Sequence, residues 1–204
     1  MATTINSLLE SIGLNTKELR TVQWGQRLDS ASIGIYIVST CHEPDSNTDL
    51  FDTAPIDDKV LEFWIKKVPT IQIDAQPATI ESLRQRISSF WLPDESIVYI
   101  GQTESGKGLN SRVNQYYNTE LGDSKPHAGG HWIKTLKNLN QLYVHYLPID
   151  NPVGKEKMLL KKFVSQVSQS TLLNLYDKTL PIPFANLELE KRNRKKHGIS
   201  KSKL

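Results

Sequence analysis

The chain has 204 residues, of which 38% are hydrophobic and 23% charged. That excludes wholesale disorder and fits one sizeable domain with room for an insertion. A single cysteine, Cys41, excludes a disulfide framework within the chain, and the net charge of +3 is unevenly spread. Residues 1–60 hold 9 acids and 4 bases, whereas residues 151–204 hold 4 acids and 12 bases. The basic end is either a solvated tail or a surface for a polyanion such as nucleic acid. No apolar run reaches the length of a membrane span. Residues Met1–Glu10 lack a basic start leading into an apolar stretch. A cytoplasmic protein without a signal peptide is therefore expected.

Residues 3–20 read as a short helix, capped by Thr4, with Ile5, Leu8, Leu9 and Ile12 at helical spacing. Residues 33–39 are short, continuous and β-branched, the pattern of a buried strand. Residues 41–58 are acidic and rich in turn formers, and predict a surface loop. A helix over 59–68, a short strand over 70–74 and a helix over 78–91 follow; the last stops before Pro93. Residues 96–102 give a second buried strand and 109–118 a helix. A polar loop spans 119–130, a short helix 131–139 and a third strand 142–148. Pro152 stands where a helix over 153–167 is expected to open. Residues 180–186 are broken by prolines, and the chain beyond is polar and basic. The expected class is α+β, a small sheet with helices packed on it.

Two charged residues interrupt apolar helix faces. Leu109, Val113 and Tyr116 form a stripe that also contains Arg112; Leu160, Phe163 and Val167 form one that begins at Glu156. An ionised group on such a face costs free energy unless a partner or a wet cleft receives it. Glu156 alone could simply favour a helix N-terminus, and Arg112 could snorkel or pair with Glu156. Together they suit a cleft for a divalent metal beside a phosphate.

The first two strands carry Gly34-Ile35-Tyr36 and Tyr99-Ile100-Gly101. With Arg112 on the next helix, Glu156 opening a later one and Asn186 near the end, the chain resembles the GIY-YIG nuclease superfamily. His127-Ala128-Gly129-Gly130-His131-Trp132 is similar to a segment of some restriction-type members. The resemblance spans residues 33–186. It implies a central antiparallel sheet of about three strands flanked by helices, and metal-dependent hydrolysis of DNA. Tyr36 and Tyr99 lie 63 positions apart, so residues 41–94 read as a helical insertion within a single domain, with 187–204 as a basic tail.

On this reading the resemblance gives Tyr36, Tyr99, Arg112, His131 and Glu156 as the catalytic set. Glu156 holds Mg²⁺ or Mn²⁺, Arg112 stabilises the phosphate, and Tyr36 orients or deprotonates the attacking water. Tyr99 holds the water or a phosphate oxygen. A tyrosine base needs nearby positive charge to work near neutral pH. Lys107, His127, Asn186, Lys191, Arg192, Arg194, Lys195 and Lys196 are the expected DNA or phosphate contacts. Blander readings stand beside several of these: a loop lysine for Lys107, a loop residue for His127, a helix cap for His131 and an anchor of the C-terminal segment for Asn186. Trp24, Trp64, Trp91 and Trp132 read as packing rather than base-stacking platforms. The expected activity is a restriction or defence endonuclease, acting as a homodimer or transient pair on DNA. Alternatives are a structure-specific repair or recombination nuclease, and a non-cleaving DNA-binding module on the same scaffold.

Overall fold

The two β-branched stretches that carry the tyrosines become neighbouring strands at the middle and edge of one sheet. A computed structural model describes residues 3–104, 106–123, 131–137 and 139–201. In chain order the elements are helix α1 (Ile5–Glu10), strands β1 (Arg20–Gln23) and β2 (Gly34–Ser39), helix α2 (Asp58–Lys67), short strands β3 (Ile71–Ile73) and β4 (Gln76–Pro77), and helix α3 (Ile80–Ser88). Strand β5 (Ile97–Thr103), helix α4 (Gly108–Asn118), strand β6 (Tyr143–Pro148) and helices α5 (Lys155–Val164) and α6 (Gln169–Asn174) follow. The chain ends with β7 (Glu188–Glu190), β8 (Asn193–Arg194) and β9 (Ile199–Lys201).

The main sheet is antiparallel, in the order β1-β6-β2-β5. All six residues of β2 are buried, because strands flank it on both sides and helices cover both faces. Tyr36 and Val38 point into a core with Leu61 and Trp64 of α2, Leu83 and Ile87 of α3, and Leu109, Val113 and Tyr116 of α4. Ile35 and Ile37 point the other way, to Ile5, Leu8 and Leu9 of α1 and Leu159, Leu160 and Phe163 of α5. The period-2 alternation of one strand thus feeds two helical layers. A bulge shifts the β2–β5 register: Val38 opposes Tyr99 and Ser39 opposes Ile97, leaving Val98 as the extra residue.

The α+β class with antiparallel sheets flanked by helices is as expected, with four corrections. The main sheet has four strands rather than about three, since β1, which follows the helix expected over 3–20, was not foreseen. That helix ends at Glu10, where Gly13 takes φ 78° and donates to the Glu10 carbonyl. The strand expected over 70–74 forms as β3, and it pairs with β4 and with β9 from the C-terminal segment. Residues 187–201 are therefore folded, not a free tail. The helices expected over 131–139 and 153–167 shorten to a 3-10 turn at Ile133–Thr135 and to α5, which starts after Gly154 rather than at Pro152. No helix among the described residues is long and apolar enough to cross a membrane.

Candidate active site

The register sets Tyr36 opposite Gly101, so Tyr99, two residues back on β5, is its diagonal neighbour on the same face. Their ring centroids lie 5.8 Å apart. Gly101 is glycine for a steric reason: a Cβ there would meet Tyr36 Cζ at 2.6 Å and its hydroxyl at 2.7 Å. The missing side chain lets the Tyr36 ring lie across β5. Gly34 plays a similar part, since its Cβ would stand 2.2 Å from the Leu147 carbonyl.

Helix α4 delivers Arg112 to this pair. Its first free amides, of Leu109 and Asn110, donate to the carbonyls of Ser32 and Ser30 at 2.8 and 3.0 Å, just before β2. Gly108 sits at φ 69° with the Ala31 carbonyl so close that a Cβ would be 2.0 Å away. The helix start is thus pinned to the strand that carries Tyr36. The Arg112 guanidinium and the Tyr99 hydroxyl both stand beside the Tyr36 oxygen.

Glu156 arrives from the other helical layer, around the open edge of β5. That edge is covered residue by residue. The Ala185 amide donates to the Val98 carbonyl at 2.8 Å, and Asn186 closes both main-chain groups of Ile100 at 2.9 and 2.8 Å. Glu156 takes the next position: its Oε2 accepts from the Gln102 amide at 3.2 Å, while its own amide donates to Gln102 Oε1 at 2.9 Å. Gln102 Nε2 in turn donates to Glu104. This clasp fixes the carboxylate beside Arg112, Tyr36 and Tyr99, each of which lies within electrostatic reach. Nothing in the sequence flags Gln102, because its role rests on two main-chain bonds between segments 54 residues apart.

Burial dominates the electrostatics. It pushes the Glu156 carboxyl up to about 7, against the Gln102 amide and Arg112, while Glu188 and Glu104 add to the rise. It also raises Tyr36 above the usual phenol range, with Arg112 opposing, and Tyr99 further. Tyr36 is 1% exposed and Tyr99 8%. The expectation of a solvent-reachable pocket therefore holds only on the side of the two helical residues. There a cleft of about 440 Å³ is lined by Gln102, Glu104, Lys107 and Arg112.

Among the described residues no group of three or more His, Cys, Asp or Glu side chains could hold a metal by itself. Mg²⁺ does not need one; it is commonly held by one or two carboxylates with waters and substrate phosphates. Glu156 fits that pattern, since Oε1 is left free by the clasp and the raised carboxyl gains from a cation.

The other expected contacts divide. Lys107 is exposed on the cleft. Lys191, Arg192, Arg194 and Lys196 are exposed, Arg194 pairing with Glu188 at 3.2 Å. Lys195 is a correction: it is buried, donates to the carbonyls of Pro183 and Phe184 at 2.8 and 2.7 Å, and lies over the rings of Phe90 and Trp132. Burial holds it well below the ordinary lysine range. Asn186 is likewise spent on Ile100, so it anchors the C-terminal segment and not a phosphate. His131 is buried, with Nε2 unpaired, among Asp123, Lys201, Lys67 and Lys134 and apart from the Tyr36 group. His127 lies outside the described residues. Trp64, Trp91 and Trp132 are core residues, and Trp24 packs edge-on against Tyr116 and Tyr117.

No family model, curated protein or solved structure matches this chain.

Proposed function

We propose that the protein is a metal-dependent endonuclease of GIY-YIG type that hydrolyses DNA phosphodiester bonds, in a restriction or defence setting. One observation carries the reading: Tyr36 lies 5.8 Å ring to ring from Tyr99 and has Arg112 beside it, and the Glu156 carboxyl stands within electrostatic reach of all three. Four side chains from two strands and two helices thus meet at one point.

A Mg²⁺ or Mn²⁺ ion on Glu156 supplies Lewis-acid polarisation of the scissile phosphate and stabilisation of the leaving 3′ oxygen. The remaining roles belong to the chain. Arg112 lines the cleft and stands beside Tyr36, so its N–H groups can hold a phosphate oxygen as negative charge develops. Tyr36 keeps its proton at neutral pH, because burial outweighs Arg112. Tyr36 therefore orients the attacking water, and loses its proton only where further positive charge adjoins it. Gln102 keeps the carboxylate in register.

The test is nicking of supercoiled plasmid and phage DNA with Mg²⁺ or Mn²⁺. The proposal expects cleavage by the wild-type protein and its loss in Glu156→Ala. Cleavage unchanged in that variant contradicts the metal assignment. Absence of cleavage with any duplex or branched DNA contradicts the activity.

A further inference from the structure

Helix α4 is buried along Leu109, Val113 and Tyr116. Its outward residues are Asn110, Ser111, Asn114, Gln115 and Asn118, all uncharged. A solvated helix face ordinarily carries acids and bases in i,i+4 pairs; this one carries amides and a hydroxyl. Only Asn114 and Asn110 bond to one another, at 3.3 Å. The side chains of Ser111, Gln115 and Asn118 have no hydrogen bond among the described residues.

The same residues line three adjoining clefts. One of about 520 Å³ holds Asn114, Gln115 and Asn118. It shares Ser111 and Gln115 with the 440 Å³ cleft that contains Arg112 and Gln102. It shares Asn110 with a third, of about 540 Å³, that contains Arg27 and Lys107. Lys107 also borders the Arg112 cleft, which closes the circuit. The three clefts make an interrupted groove along α4, and its Arg112 end reaches Gln102, the residue that holds Glu156.

Two bases offer themselves to phosphates: Arg27 and Lys107 are exposed and have no ion pair among the described residues. Of the acids beside them, Asp123 pairs with Lys67 at 2.9 Å and Asp29 with Arg20 at 3.7 Å, while Glu104 accepts from the Gln102 side chain and keeps its charge. Asn and Gln present a donor and an acceptor side by side, the pattern that pairs with an adenine edge, and the major groove of a DNA duplex is wide enough to admit a helix.

We propose that this groove seats duplex DNA, with Asn114, Gln115 and Asn118 reading base edges in the major groove while Arg27 and Lys107 hold flanking phosphates. The proposal rests on the nuclease reading, and assigns its sequence preference to α4.

The test uses the full chain carrying Glu156→Gln, which binds without cutting, and a pool of random-sequence duplexes. The parent should enrich a base motif. Adding N114A/Q115A/N118A should lower affinity for that motif about ten-fold or more, leaving affinity for unrelated duplex and the salt slope unchanged. Adding R27A/K107A should weaken all duplexes alike and reduce the salt slope by about two. Circular dichroism guards against misfolding. As a second variant, Gln115→Glu keeps the shape and adds a carboxylate; it should weaken binding without lowering the melting temperature. A motif that survives both α4 variants, or duplex binding with no motif at all, overturns the inference while plasmid nicking by the wild-type protein still upholds the nuclease reading. A parent that binds no duplex, with a wild-type protein that nicks none, overturns both.

Discussion

At the scale of single residues, the site turns on a carboxyl that burial keeps protonated more readily than its ordinary 4.5 allows. The folded chain holds a proton on Glu156 that the unfolded chain releases between about pH 4.5 and 7. The contribution of Glu156 to stability therefore falls as pH rises through that window and is gone above it, while His145 and His197, which burial holds down to about 4, contribute a trend of the opposite sign. Glu95, buried near Thr3 and also raised to about 7, adds a decline of the same sign as that of Glu156. Glu156→Gln removes one of the two declines. Its stability should fall less steeply, and at pH 8 it should exceed the wild type by on the order of 2 kcal/mol, read by urea unfolding at several pH values. Cleavage should run the opposite way, rising with pH as Glu156 ionises, with a midpoint that moves down as Mg²⁺ is raised, because the cation favours the carboxylate. A stability difference between wild type and Glu156→Gln that stays constant across this window would show that the carboxyl is not buried as described.

At the scale of elements, the open edge of β5 organises the site, and the residues that cover it divide into structural and chemical ones. Ala185 and Asn186 fasten the C-terminal segment, whereas Glu156 uses the same edge to present a carboxylate. Gln102→Ala removes the acceptor for the Glu156 amide and loosens the first turn of α5, while the Gln102 main-chain amide still holds the carboxylate. Residues that orient a metal ligand commonly matter 10- to 100-fold, so we expect a cleavage rate lower by about ten-fold, with a melting temperature close to wild type. An unchanged rate would mean that the clasp is only a helix cap. Lys195 belongs to the structural group. Lys195→Ala leaves the Phe184 carbonyl without the lysine donor, the Pro183 carbonyl keeping the Asn186 amide, and opens a gap between Phe90 and Trp132. It should destabilise by about 2–4 kcal/mol in chemical denaturation, while phosphate binding by the folded fraction is unaltered. A variant as stable as wild type, with a shallower salt slope for DNA binding, would return Lys195 to the surface.

At the scale of the whole molecule, two helical layers close on one sheet, and each gives one charged group to the same end of β5. Much of this was legible in the sequence. β2 and β5 stand out as continuous β-branched runs, and Arg112 and Glu156 stand out because they break apolar stripes. Gln102 was not legible, since a glutamine after a glycine has no periodicity to violate. Lys195 was misread for a related reason. It sits in a basic run, and only the approach of Phe90 and Trp132, both more than 60 residues earlier, separates it from its neighbours. β1 was missed because an edge strand of four half-polar residues carries a weak pattern; its place comes from pairing with β6. The central claim is that Tyr36, Tyr99, Arg112 and Glu156 act as one unit. The most direct measurement is single-turnover DNA cleavage by wild type, Arg112→Ala, Glu156→Ala and the double variant. Residues that act together lose activity non-additively, so the double variant should be about as slow as the slower single one. Losses that simply multiply, or metal-dependent cleavage that persists in Glu156→Ala, would contradict it.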